Sequence, residues 1–167
     1  MPRALSEVPG GTALLLDANI FIYGFTGESG QCDQLIERCR NEEVFGVTTS
    51  EVVGEVCHRL MIREALETGA VSRPAVAALR SRPETIRSLE KYWELTVRIF
   101  RSNLLVLASG EERHLKAQQT RSKYGLLTND SLLVAAALEC GIGAVATRNT
   151  DFDRVAEITV YRPTDIP

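Results

Sequence analysis

Short apolar runs alternate along this chain with longer stretches in which apolar residues recur every three or four positions. The short runs read as buried strands and the longer stretches as helices packed on one side. Strands are predicted at Thr12–Leu16, Val44–Val47, Asn103–Leu107, Ile142–Ala146 and Ile158–Tyr161. Helices are predicted over 18–25, 31–41, from Ser50 onward, within 72–101, over Ser109–Lys123 and over Asn129–Cys140. In the helix after Ser50, Val52, Val53, Val56, Leu60 and Met61 share one side. In the 72–101 segment Ser72 is a candidate cap, Pro74 falls near a first turn, and a second start lies at Ser81–Glu84. Ile86, Leu89, Trp93, Val97 and Phe100 then predict a buried face, so Trp93 is expected in the packing rather than stacked on a base, and the segment as a helical hairpin projecting from the sheet core.

Strands this short and this uniformly apolar, each followed by a helix, predict a three-layer α/β/α sandwich around a mostly parallel sheet of about five strands. The expected organisation is a loose N-terminal tail at 1–11, one domain at 12–162 that includes the helical segment 72–101, and a C-terminal tail at 163–167. In such a sheet the chemistry collects beyond the C-terminal ends of the strands.

Composition narrows the class. With 167 residues, 44% hydrophobic and 25% charged, the chain suits a single globular domain and excludes disordered, collagenous and purely coiled-coil proteins. A formal charge of -3 excludes a histone-like polycation, yet charge is segregated: 59–123 holds 13 Lys and Arg against 7 Asp and Glu. Arg73, Arg80, Arg82, Arg87, Lys91, Arg98 and Arg101 are therefore candidates for a phosphate-contacting rim, or for a solvated face laced by Glu84, Glu90 and Glu94. Cys32, Cys39, Cys57 and Cys140 lack the paired spacing of a zinc site and read as reduced core thiols. His58 and His114 have no ligand spacing. No leader-like start and no apolar stretch near membrane length is present, which predicts a cytoplasmic location with no membrane contact.

Acidic residues recur at the predicted element ends: Asp17 after the first strand, Glu51 or Glu55 early in a helix, Asp130 early in another, and Asp151 or Asp153 after the fourth strand. Each aspartate also suits a helix cap or turn. Carboxylates brought to one sheet edge repel one another unless a hard cation such as Mg2+ or Mn2+ neutralises them, and such an ion supports phosphodiester hydrolysis. Glu55 lies beside the Val52/Val56 face, where an unpartnered carboxylate is costly, and is the better ligand. A phosphatase with Asp17 as nucleophile would want an acid two residues on, where Asn19 stands.

LLLDANIFIY, TTSEVVGEVCHRL, LLTNDSLLVAAALECG and VATRNTDF resemble the ordered motifs of the PIN-domain nucleases, including the VapC-type toxins of toxin–antitoxin pairs. The likeness spans about residues 13–161. It implies a parallel α/β/α sandwich that cleaves RNA with Mg2+ or Mn2+ held by Asp17, Glu55 and Asp130, with Asp151 assisting and Asn19 ordering the site. It also implies a homodimer and an antitoxin partner. Asn149 stands where many relatives carry the first aspartate of their T-x-D-x-D-F motif. Thr147 and Asn149 are then expected to orient water or phosphate by neutral hydrogen bonds. Cleavage of structured DNA or RNA, and a binding domain whose acidic site has decayed at Asn149, are the alternative expectations.

Overall fold

Leu14, Leu15 and Leu16 are consecutive and all buried, so the strand they form is covered on both faces. That strand is central to a sheet seen in a computed structural model that describes residues 2–72 and 76–166. Arg73 of the expected basic rim and Pro74 of the expected first turn lie outside the described residues. The strands are β1 (Arg3–Ala4), β2 (Ala13–Leu16), β3 (Phe45–Thr49), β4 (Leu105–Leu107), β5 (Ala144–Ala146) and β6 (Thr159–Arg162). They lie in the order β1-β6-β5-β2-β3-β4, with every pairing parallel.

The helices are α1 (Ala18–Phe25), α2 (Gly30–Arg40), α3 (Ser50–Glu67), α4 (Val76–Arg80), α5 (Pro83–Ser88), α6 (Lys91–Phe100), α7 (Glu111–Tyr124) and α8 (Thr128–Glu139). α1 packs on α2 and α3, α3 packs on α6, and α7 pairs with α8. This is the α/β/α architecture read from the alternation of runs. Among the described residues no helix is long and apolar enough to cross a membrane.

Both termini differ from the expected loose tails. Arg3 and Ala4 pair with Tyr161 and Arg162 as a sixth strand, and Leu5 and Val8 just beyond them are buried. A two-residue strand is too short to show a periodicity, so its pairing is invisible in the sequence. At the other end Asp165 accepts hydrogen bonds from Ser29 Oγ at 2.7 Å and from the Gln31 amide at 3.0 Å, pinning the C-terminal residues to the start of α2. Of the four free cysteines, Cys32 and Cys39 are buried, and burial pushes their thiols up to about 11. Cys140 is exposed, contrary to a core role, because it lies just past the end of α8.

Among its described residues the 72–101 segment holds three short helices rather than a hairpin of two; Leu89 is buried and Ile86 packed as expected, but along α6 the inward face is not the expected one. Trp93 is 52% exposed and Phe100 54%, whereas Thr96 and Ile99 are buried and Leu95 packs against the core. Two stripes at helical spacing run side by side along α6. The choice between them is made by Glu64 of α3, whose carboxylate accepts from the backbone amides of Glu90, Lys91 and Tyr92 at 3.0, 3.1 and 2.7 Å. Those bonds satisfy the orphan donors at the start of α6 and fix its rotation on α3. Replacing Glu64 by Ala is therefore expected to cost about 1–2 kcal/mol in urea unfolding. An unchanged midpoint would remove Glu64 from this role.

Candidate functional site

β2 lies between β5 and β3, so the chain leaves it in opposite directions, and a crevice opens beyond its C-terminal end. Asp17 follows β2 directly and caps α1. Its Oδ1 accepts from the Ala18 amide at 2.7 Å, and its Oδ2 accepts from Asn19 Nδ2 at 2.5 Å and from Thr147 Oγ1 at 2.6 Å. Thr147, fully buried, follows β5. Its hydroxyl also receives Asn19 Nδ2 at 3.2 Å and the Asn149 amide at 3.0 Å, while Asn19 Oδ1 accepts from the Arg148 amide at 2.9 Å. This knot ties the ends of β2 and β5 together. It also leaves Asp17, 8% exposed and with both oxygens engaged, poorly placed for the nucleophilic attack a phosphatase requires.

Three acids meet in one polar cleft of about 260 Å3, lined by Asp17, Glu55 and Asp130 together with Asn19 and Asn149. Burial raises the pKa of Asp17, and the Glu55 charge adds to that rise against the three hydrogen bonds that oppose it. Asp130, in the first turn of α8, is pushed up to about 6, first by burial and then by the charge of Asp17. Asn149 Nδ2 donates to its Oδ2 at 3.1 Å and opposes that rise. Glu55 Oε2 accepts from Asn129 Nδ2 at 3.1 Å, and its Oε1 pairs with Arg59 at 3.4 Å.

The remaining candidates fall outside this cleft. The Glu51 carboxylate turns to Ser50 and Ser109; burial raises its pKa, but the hydrogen bonds outweigh that and hold it below the usual range. Asp153 pairs with Arg162 at 2.7 Å. Asp151 pairs with Arg154 at 2.8 Å and acts on Asp130 only through its charge. Asn149 is the hinge between Asp130 and Asp151, its Oδ1 accepting from the Asp151 amide at 2.9 Å.

Four residues of the expected basic rim have partners within the protein, in line with the alternative of a solvated, salt-bridged face. Arg82 donates to the Ala70 carbonyl, Arg87 pairs with Glu84, Lys91 with Glu67, and Arg98 with Asp33. The cations that line the cleft are Arg59 and Arg148, with Tyr23 beside them and the Arg148 guanidinium 5.9 Å from the Tyr23 ring centre. Arg59 is legible one helical turn beyond Glu55; Tyr23 carries no signal of its own in the sequence.

The donors are all hard oxygens, and their mutual repulsion is the kind that a divalent cation relieves, so the residue types fit Mg2+ or Mn2+. Among the described residues, however, no group of three or more His, Cys, Asp or Glu side chains is arranged to hold a metal ion.

A parallel sheet with aspartates and a glutamate gathered at its switch point defines a small α/β domain built around an acidic cleft. The PIN domain family profile matches residues 14–158, and the chain belongs to that family. Among solved structures it is similar to VapBC2 from Rickettsia felis bound to a DNA fragment from their promoter, at 15% identity and a TM-score of 0.58, covering 90% of this chain and 98% of that one. It is also similar to a toxin–antitoxin complex from Klebsiella pneumoniae, at 17% identity and a TM-score of 0.57, covering 88% and 96%. Comparison with curated proteins gives no match.

Proposed function

We propose that this protein is a divalent-cation-dependent endoribonuclease acting as the toxin of a toxin–antitoxin pair. The observation that carries the reading is the meeting of Asp17, Glu55 and Asp130 in one cleft at the switch point of the sheet. Asp17, Glu55 and Asp130 would hold Mg2+ or Mn2+, with Asp151 assisting from beyond Asn149. When bound, such a cation activates water and stabilises charge on a phosphodiester. Thr147 and Asn19 orient Asp17 in its buried position and oppose the rise in its pKa. Arg59 and Arg148 supply positive charge on the cleft wall for an RNA backbone. The similarity to toxin–antitoxin complexes supports an antitoxin protein as partner, and the working assembly in this reading is a homodimer.

The test is cleavage of end-labelled single-stranded RNA, structured RNA and matched DNA with Mg2+ or Mn2+, against EDTA and the double variant D17N/D130N. The reading expects cuts in RNA that vanish with EDTA and in the variant. RNA bound but never cut, with folded protein and added cation, would replace it with a binding domain; cuts confined to DNA or branched substrates would replace its substrate.

A further inference from the structure

We infer that Asn149 is a positioning residue that limits the acidic cleft to one divalent cation, an inference that rests on the cation reading above. Every polar group of Asn149 is committed. Its amide donates to Thr147 Oγ1 at 3.0 Å, its carbonyl accepts from Arg162 at 3.1 Å, and its Oδ1 accepts from the Asp151 amide at 2.9 Å. With Oδ1 facing a backbone donor, the side-chain amide has one orientation, and Nδ2 points at Asp130 Oδ2, 3.1 Å away. The edge of the cleft between Asp130 and Asp151 is therefore closed by an N–H donor, which offers a cation no lone pair.

The carboxylate on the far side of that donor is engaged as well, since Asp151 is held by Arg154 at 2.8 Å. A second cation at this edge would have to take Asp151 from Arg154 and would still lack a ligand at position 149. Charge points the same way. Asp17, Glu55 and Asp130 share the cleft with the guanidinium groups of Arg59 and Arg148, while Asp151 and Arg154 offset one another outside it, leaving one negative charge over. One divalent cation turns that excess into a single positive charge, matched to a single phosphodiester, whereas two cations would leave a strong positive excess. The Asn149 bond to Oδ2 leaves Asp130 Oδ1 outside that bond, so the residue orients a ligand while denying a second site.

The experiment is Mn2+ titration of the full chain without RNA, followed by electron paramagnetic resonance and calorimetry, on the wild type, N149D and N149S. The wild type is expected to bind one Mn2+ per chain. N149D replaces the donor with a carboxylate against Asp130 and is expected to bind two, with the spin-coupled signal of a neighbouring pair. N149S frees Asp130 and is expected to bind one ion about tenfold or more weakly. Two ions in the wild type, or one in N149D, would overturn the inference while leaving the cation reading standing. No Mn2+ bound by folded wild type would overturn both. The expected stoichiometries without any RNA cleavage would sustain the inference and remove the nuclease. Should N149D not fold, the wild-type stoichiometry and the N149S affinity decide the matter.

Discussion

The substitution Asp130→Asn is expected to give a protein that melts higher than the wild type without added metal and cleaves RNA about two to three orders of magnitude more slowly with it. Both effects have one origin. Burial and the charge of Asp17 push the Asp130 carboxyl up to about 6, so the folded state holds a proton there to higher pH than the unfolded chain does. The sign follows from linkage: this group's contribution to stability falls as pH rises from its ordinary value through about 6, and at neutral pH the cation-free protein bears the whole penalty. The substituted carboxamide keeps the shape and still accepts from Asn149, but carries no charge. After discounting for the cleft's contact with water, the gain is about 1 kcal/mol, or roughly 2–4 °C for a chain of this size. Thermal melts in EDTA beside RNA cleavage in Mg2+ read both arms, and cleavage unchanged in D130N would remove Asp130 from the site.

Added Mn2+ or Mg2+ should stabilise the wild type by more than that substitution does. A cation at a hundred times its dissociation constant contributes about 2.7 kcal/mol, which raises the melting temperature by roughly 5–10 °C. The increment should be greatest above about pH 6 and fade below it, because protons and the cation compete for Asp130 and Asp17, both of which titrate upward from ordinary aspartates. Without cation the Asp130 contribution runs the other way, weakening the fold as pH rises, so the curves with and without cation should diverge as pH rises from the ordinary aspartate value through about 6. Parallel curves would mean that the cation does not bind through these carboxylates. D130N should lose most of the increment.

The parts of the molecule that were readable in the sequence are those in which local pattern and tertiary environment agree. The Leu14–Leu16 run, the first-helix span at 18–25 and the three acids of the cleft each announce themselves through burial or through position at the end of an element. Glu55 could be preferred to Glu51 because a carboxylate beside Val52 and Val56 needs a reason to be there, and the structure places it in the cleft. What could not be read depends on distant partners. Nothing local to Trp93 says that Glu64 will capture the amides at 90–92 and turn the tryptophan outward. The start of the chain looks polar and glycine-rich until β6, at the opposite end of the sequence, offers Arg3 and Ala4 an edge. The side-chain pairing of Asp151 with Arg154 lies at a spacing that was in plain view, yet which of two nearby aspartates it would hold was decided by Arg162 taking the other.

The hydrogen bond from Thr147 to Asp17 joins residues 130 positions apart. A ribosome making this chain therefore displays Asp17, Glu55 and Asp130 before it supplies the hydroxyl that orients Asp17 inside the core. A nascent polypeptide that has not yet reached residue 147 owns the acids but not the means of holding them in place. Any activity residing in this cleft thus waits until the chain has been made past residue 147, by the order in which the pieces are threaded rather than by a separate inhibitor.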